Sequence, residues 1–192
     1  MNTNAIVSGL IKRSEFFNPI AEGKAVLRSL LIQAIIFFLA FQLVSYFRET
    51  SMLATDTHIV EQYNADFNAV TTLDNNTVSL FAQGKTTVLY FFAPWCQVCH
   101  ASIRNLQALH EDNKAIKVVA IALDYIDDDE VAKFTSKHQL TFPVALGNEG
   151  IKKAFSITGY PSYYVLNKQN VITAKSMGYS SELGLYLRSL IL

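Results

Sequence analysis

An uncharged apolar segment near the N-terminus, residues 29–47, limits most strongly what this chain can fold into. Fifteen of its 19 residues are apolar, and it is bounded by Arg28 and Arg48. As a helix it would be about 28 Å long, close to the ~30 Å hydrocarbon core of a bilayer. Apolar residues lie on every face of that helix, whereas a helix on the surface of a soluble core keeps a polar face. The segment therefore predicts a single membrane span.

The residues on either side of the span indicate its fate and its orientation. No small-residue cleavage site follows it, which favours a retained anchor over a cleaved signal peptide. Four basic residues precede the span, at positions 12, 13, 24 and 28, whereas only Arg48 follows it closely. The positive-inside bias therefore predicts a cytoplasmic N-terminus and places the rest of the chain outside the cytoplasm.

These features divide the chain into four predicted parts. Residues 1–28 form a cytoplasmic tail, 29–47 a transmembrane helix, 48–66 a polar, acidic tether, and 67–192 a folded domain. The expected location is the inner (cytoplasmic) membrane, crossed once, with the C-terminal domain in the periplasm.

Composition excludes several functions for the folded part. The sequence has 16 Lys and Arg against 16 Asp and Glu, so nucleic-acid binding through phosphate neutralisation has no compositional support. Hydrophobic residues make up 51% of the chain, which is enough to bury a core and excludes a disordered protein. Two cysteines form at most one disulfide, which excludes a small scaffold held by several bridges.

Strands and helices alternate along residues 67–192. Residues 86–92 and 116–123 are short apolar runs suited to buried strands. Residues 128–138 predict a helix, because acids fill the first turn and bases the last. This alternation favours an α/β domain whose mixed sheet is covered on both faces. The other predicted elements are a hairpin over 67–72 and 77–80, helices at 101–110, 150–155 and from 181, and strands at 162–166 and 171–175.

The two cysteines lie together just after the first buried strand, in the sequence Trp95-Cys96-Gln97-Val98-Cys99-His100. A cysteine that opens a helix has its thiolate stabilised by unpaired backbone N–H groups and by the helix dipole, so Cys96 is predicted to attack disulfides. Cys99 follows about one helical turn later, close enough to form a disulfide with Cys96 and to resolve a mixed disulfide.

Other interpretations of the same residues stay open. The pattern C-x-x-C-H at 96–100 also matches a c-type haem attachment site with His100 as axial ligand, although here the motif follows an apolar strand. A redox-switched binding module would use the cysteines to change partner affinity without turnover. No metal site is predicted, because a second cysteine pair is lacking and a helix N-terminus explains the acids at 127–130.

Residues 67–192 resemble the thioredoxin-fold domains of the TlpA/ResA/DsbE-like branch, and within it the membrane-anchored protein disulfide oxidoreductases of the ScsD type. The resemblance implies a thioredoxin fold and a cis bond between Tyr160 and Pro161 beside Cys96. It also implies that Trp95, Tyr160 and Pro161 bind substrate, with Tyr160 presenting backbone groups to the substrate chain. The segments that carry it are DFNAVTTLDNNTVSL, VLYFFAPWCQVCH, FPVALGNEG, the Gly159-Tyr160-Pro161 turn before SYYVL, and MGYSSELGLYLRSL.

The sequence departs from that family around the second cysteine. Tyr90 stands where thioredoxins have a buried acid, and Ser102 stands where some ResA-like reductases have a glutamate. The group that handles the Cys99 proton is therefore not identified. Gln97, Val98 and His100 are candidate modulators of the thiolate. Gln97-Val98 matches neither the reducing thioredoxin dipeptide nor the strongly oxidising ones, so the direction of electron flow stays open.

The resemblance implies a membrane-anchored thiol:disulfide oxidoreductase that reduces or exchanges protein disulfides through the Cys96–Cys99 pair. The redox-active disulfide itself would be the only redox group, with no metal or organic cofactor. The expected partners are protein disulfides or dithiols as substrates, and a transmembrane DsbD-like electron donor or another redox partner that recycles the pair.

Overall fold

The computed structural model describes residues 19–59 and 67–191. The chain divides into two compact units, residues 1–43 and 44–192. Helix α1 spans Pro19–Thr50, so it extends beyond the predicted span at both ends. Within it, Leu27–Val44 is by length and composition apolar enough to cross a membrane, with a mean hydropathy of 2.0. Residues 1–18, most of the predicted cytoplasmic tail, lie outside the described part.

A five-stranded mixed sheet forms the centre of the second unit. Its strand order is β5-β4-β3-β6-β7, and a separate antiparallel hairpin joins β1 and β2. The strands are β1 Val70–Thr71, β2 Thr77–Val78, β3 Thr87–Phe92, β4 Lys117–Ala122, β5 Val144–Leu146, β6 Ser162–Leu166 and β7 Ile172–Met177. The remaining helices are α2 Gln97–Asp112, α3 Asp128–His138, α4 Glu149–Ala154 and α5 Glu182–Ser189.

The connections between strands set the direction of each pair. Strand β3 runs parallel to β4, and β4 parallel to β5, because a helix crosses over between them. Strand β6 pairs antiparallel with both β3 and β7. The sheet is therefore mixed, as the alternation of elements predicts, and β3 at its centre is buried along its whole length.

Alternate side chains of β3 enter two hydrophobic cores, one on each face of the sheet. Tyr90 and Phe92 pack in the first core with buried residues of α2, α3 and α5. Leu89 and Phe91 pack in the second core with Ile151 of α4. Helices cover both faces, which confirms the predicted layer arrangement and the thioredoxin fold.

The segment just after α1 differs from its prediction. Sequence polarity predicts a tether over 48–66, but within the described part Met52 and Ile59 are buried in the second core. The backbone N–H of Asp56 donates to the Ile172 carbonyl over 2.9 Å, and Ile172 N–H donates to Thr57 over 3.0 Å. Buried apolar side chains and backbone hydrogen bonds to β7 therefore dock this polar segment on the sheet. Residues 60–66 of the predicted tether lie outside the described residues.

Candidate redox site

The cysteine pair lies where β3 ends and α2 begins. Cys96 is the N-cap of α2, and its sulfur accepts the backbone N–H of Cys99 over 3.1 Å. The two residues form a disulfide with Cα atoms 5.2 Å apart. Cys96 keeps 7% of its surface exposed, whereas Cys99 is fully buried. Cys96 is therefore the sulfur that a substrate reaches first, which supports the predicted order of attack and resolution.

The turn before β6 forms a second side of the site. The Tyr160–Pro161 peptide bond is cis, as the resemblance implies. The Pro161 carbonyl accepts the N–H of Gly178 over 2.7 Å, so the turn is fixed to the end of β7. The ring of Tyr160 meets that of Trp95 edge to face, with centroids 5.9 Å apart. The structure thus brings together Trp95, Tyr160 and Pro161, which the sequence predicts to bind substrate.

Asp124 joins this site although sequence reasoning missed it. It follows β4 with a left-handed φ of 49°, and its carbonyl accepts the indole N–H of Trp95 over 2.9 Å. Its carboxylate pairs with Lys152 of α4 over 2.7 Å. Burial, and then the nearby Asp124 carboxylate, raise the pKa of Tyr160. An acidic residue shortly after a buried strand is the sequence signal that could have indicated this position.

His100 is bound to another histidine and turns towards α3. Its Nδ1 lies 2.7 Å from Nε2 of His138, and its ring packs against Phe134. Burial, followed by the charge of Lys137, lowers the pKa of His100. Burial, followed by His100, lowers the pKa of His138 to about 4. Both lowered pKa values favour neutral rings at pH 7, so His100 presents an uncharged ring, and its predicted role as a modulator of the thiolate stays a prediction.

Hydroxyl groups lie behind Cys99, at the two positions, Tyr90 and Ser102, where the resemblance implies acids in other members. The Tyr90 hydroxyl donates to the Cys99 carbonyl over 3.3 Å and lies 3.3 Å from the Ser102 hydroxyl. The Ser102 hydroxyl donates to the carbonyl of Val98 over 2.9 Å. Burial raises the pKa of Tyr90, and it raises the pKa of nearby Tyr163 to about 12. These hydroxyls are therefore protonated, and the cluster neutral, at physiological pH.

Gln97 and Val98 lie between the cysteines, with both side chains exposed at the mouth of the site. They contribute neither a charge nor a proline to it. Their position beside the sulfur that substrate reaches is compatible with the predicted role as modulators.

The acids at 127–130 cap a helix. Asp127 is the N-cap of α3 and accepts the N–H of Glu130 over 2.9 Å, while Glu130 accepts the N–H of Ile126 over 3.0 Å. Among residues 19–59 and 67–191, no group of three or more His, Cys, Asp and Glu side chains is arranged to hold a metal ion.

The haem interpretation requires different bonds at the same residues. Thioether attachment would use both cysteine sulfurs, which here are joined to each other. The proposed axial ligand, His100, is engaged by His138. This geometry favours the redox-pair interpretation.

A cysteine pair at the start of α2, together with a cis-proline turn whose Tyr160 packs against Trp95, defines a thioredoxin-fold thiol-disulfide oxidoreductase on this mixed sheet. The chain belongs to the AhpC/TSA family, whose sequence pattern matches residues 60–175.

Curated relatives agree with this assignment. The chain is 27% identical to the thioredoxin-like protein YneN of Bacillus subtilis over 115 residues, which cover 58% of this chain and 67% of that protein. It is 32% identical to the thiol-disulfide oxidoreductase ResA of Oceanobacillus iheyensis over 104 residues, covering 52% of this chain and 54% of ResA. The narrower resemblance to the ScsD type stays a prediction.

Solved structures share the fold. A secreted disulfide oxidoreductase of Mycobacterium tuberculosis, homologous to E. coli DsbE, superposes with a TM-score of 0.57 at 25% identity, covering 68% of this chain and 96% of that one. StoA of Bacillus subtilis superposes with a TM-score of 0.58 at 23% identity, covering 63% and 94% respectively. The aligned part corresponds to nearly the whole of each of those proteins.

Proposed function

We propose that the chain is a membrane-anchored oxidoreductase that reduces or exchanges disulfides in other proteins outside the cytoplasm. The observation that carries the proposal is the asymmetric cysteine pair, with Cys96 as the helix cap, 7% exposed, and Cys99 fully buried behind it. One sulfur then meets the substrate, and the other is protected until the first has reacted.

In the reducing direction the reaction has two exchanges. The Cys96 thiolate attacks one sulfur of a substrate disulfide, that S–S bond breaks, and the other substrate sulfur leaves as a thiolate that water protonates. Cys99 then loses its proton and attacks Cys96 in the mixed disulfide, which releases the second substrate sulfur. Two electrons pass to the substrate, and the Cys96–Cys99 disulfide forms. The oxidising direction is the same path reversed.

The proton of Cys99 leaves to water in this mechanism. The side chains described behind Cys99, Tyr90 and Ser102, carry hydroxyl groups, and a tyrosine with a raised pKa is too weak an acid or base to exchange this proton near pH 7. The N-terminus of α2 favours the thiolate at Cys96, because the backbone N–H of Cys99 donates to its sulfur.

Substrate binding is proposed to use the exposed edge of the site. In this proposal Trp95 shields one side of Cys96, and the backbone groups of Tyr160 pair with an extended substrate segment before Pro161. No cofactor other than the disulfide enters the proposed mechanism. A dithiol donor of the DsbD-like transmembrane class is proposed to restore the reduced pair, since each turnover consumes two electrons.

The proposed location is the inner membrane, with a cytoplasmic N-terminus and the redox domain in the periplasm. It is supported by the apolar segment Leu27–Val44 and by the basic residues that precede it. Protease added to intact spheroplasts should remove the redox domain and leave the N-terminal part protected. Complete protection of the whole chain in spheroplasts would contradict this orientation.

The activity is tested with the full chain in detergent micelles and with two matched variants. Cys99→Ala should accumulate a mixed disulfide with substrate proteins, because the resolving sulfur is missing. Cys96→Ala should form none and should lose insulin reduction. If neither variant changes any thiol reaction, the proposed function is wrong.

Direction is tested by equilibration with glutathione. A reductase should have a potential near that of thioredoxin, about −270 mV, whereas a strong oxidant lies near −120 mV. A value close to the second figure would exclude the reducing role.

A further inference from the structure

The loop between β4 and α3 holds an exposed apolar side chain next to the redox site. Ile126 is 91% exposed, more than any other large apolar side chain in the described residues. Asp124, two residues earlier, accepts the indole N–H of Trp95, which adjoins Cys96. Trp95 is itself 58% exposed. Trp95 and Ile126 are here called the apolar rim: Trp95 directly precedes Cys96, and Ile126 lies two residues after the carbonyl that holds the Trp95 indole.

Several contacts hold this loop in place. Asp124 pairs with Lys152, and the Tyr125 hydroxyl donates to the Gly147 carbonyl over 3.2 Å. The backbone N–H of Ile126 donates to the Glu130 carboxylate over 3.0 Å. Ile126 is thus presented on a fixed backbone, so a partner that covers it loses little loop entropy.

Acidic side chains adjoin the apolar rim. Asp128 and Asp129 follow Ile126 within one turn and are exposed. The ion pairs formed by the described residues, Lys152 with Asp124 and Lys153 with Glu149, involve neither of them. A polypeptide that crosses the rim towards α3 therefore meets apolar surface first and negative charge next.

We infer that the apolar rim and the acids beside it determine substrate specificity. The favoured occupant is an extended segment of a disulfide-bonded protein with an apolar residue next to the reacting cysteine and a basic residue beyond it. The inference rests on the proposed function, and it adds the chemical class of substrate that the same site selects.

The expected effects follow from partial burial and from exposed charge. When a substrate covers part of the Ile126 side chain, the rate constant for oxidation of the cysteine pair by that substrate is expected to rise about fivefold. Exposed charge pairs contribute less, about threefold at low salt, and this contribution should disappear at high ionic strength.

The experiment uses the reduced full-length chain in detergent micelles and four short peptides. Each peptide carries one cysteine capped by mercaptoethanol, flanked by either leucine or serine, and beyond these by either lysine or glutamate. Oxidation of the pair is followed by the fluorescence of Trp95, the single tryptophan of the sequence. Hydroxyethyl disulfide, which is small and uncharged, serves as the reference substrate.

Two variants separate the apolar and the charged contributions. Ile126→Ser should lower the ratio of the rate constants for leucine and serine peptides about fivefold. The double variant Asp128→Asn with Asp129→Asn should lower the ratio for lysine and glutamate peptides about threefold. Neither should change the reaction with hydroxyethyl disulfide. Leu183→Ser is the matched control, because Leu183 is also an exposed aliphatic residue but lies on α5.

The outcomes separate a failure of the specificity inference from a failure of the proposed oxidoreductase function. If the wild-type chain reacts with hydroxyethyl disulfide but all four peptides react at equal rates, the inference is overturned and the proposed function stands. The same holds if Ile126→Ser keeps the full preference for leucine. If the wild-type chain reacts with no disulfide at all, both are wrong.

Discussion

The imidazole rings of His100 and His138 lie 2.7 Å apart, Nδ1 to Nε2, and join α2 to α3. A hydrogen bond between two imidazoles requires one nitrogen to donate and the other to accept. When both rings are protonated, all ring nitrogens are donors and the contact becomes repulsive. The folded pair therefore resists protonation, which agrees with the lowered pKa of both rings.

This relationship predicts a loss of stability in acid that depends on His138. In the unfolded chain a histidine titrates near 6.5, whereas burial and His100 lower the pKa of His138 in the folded chain to about 4. Between these values the unfolded state binds more protons, so the free energy of unfolding falls as pH drops from about 6.5 to about 4. Above that window His138 contributes no pH dependence.

His138→Gln should flatten this part of the pH profile. The measurement is urea unfolding of the full chain in detergent at a series of pH values, for the wild-type chain and for the variant. The difference between the two curves removes the contribution of carboxylates, which titrate in both. Parallel curves from pH 6.5 to pH 4 would contradict the assignment of this acid sensitivity to the pair.

The hydroxyl cluster gives a second prediction, for Tyr90→Phe. The variant loses the hydrogen bond to the Cys99 carbonyl and should unfold about 1 kcal/mol more easily. The pH dependence of the cysteine thiols should not change, because the Tyr90 hydroxyl is neutral throughout their titration. Thiolate absorbance of the reduced protein against pH is the measurement, with Ser102→Ala as the control in the same cluster. A shifted thiol titration in Tyr90→Phe would make Tyr90 a proton donor.

Local signals in the sequence predicted much of this fold. Helix α3 has the predicted bounds, because Asp127 caps it and its charges match the helix dipole. Strand β6 also has the predicted bounds, because the last four of its five residues form a continuous apolar run. The apolar run that ends at Phe92 also predicted that the cysteine pair lies between β3 and α2. Helix α2 begins at Gln97, however, whereas the predicted helix began at residue 101, so Gln97, Val98 and Cys99 lie within the helix.

Features that depend on distant contacts were not predicted. Strand β5 has only three residues, too few to give a pattern, and it forms because β4 lies beside it. His100 and His138 are separated by 38 positions, and Trp95 and Asp124 by 29. Such pairs depend on the crossover between parallel strands, which no local pattern of residues contains.

Gly147 gives a third prediction, because it sits against the backbone of β4. A Cβ atom at this position would lie 2.7 Å from the Ala122 carbonyl oxygen. Gly147→Ala should therefore move β5 or the loop that holds Asp124, and it should destabilise the fold by about 1–3 kcal/mol.

Gly150→Ala is the control for this substitution. Gly150 lies in α4, where alanine has the higher helix propensity, and its added Cβ meets only the Asn148 side chain at 3.1 Å. Thermal unfolding should separate the two variants, with Gly150→Ala close to the wild-type chain. Equal midpoints would mean that the loop at Gly147 adapts without strain.

The packing of residues 51–59 gives the fourth prediction. Ile59 is fully buried in the second core, and its N–H donates to the Asn170 carbonyl over 3.1 Å. If the folded unit includes this segment, Ile59→Ala should cost about 2–5 kcal/mol through the lost burial and the cavity left behind.

Ile126→Ala removes the same atoms from an exposed position, so it is the matched control and should change stability by less than about 0.5 kcal/mol. Urea unfolding of both variants in the full chain gives the comparison. A large difference means that the folded unit begins before Phe67, because an apolar side chain in a loose tether would be as exposed as Ile126. If both variants change the free energy of unfolding by equally small amounts, residues 51–59 belong to a tether, as their polarity predicts.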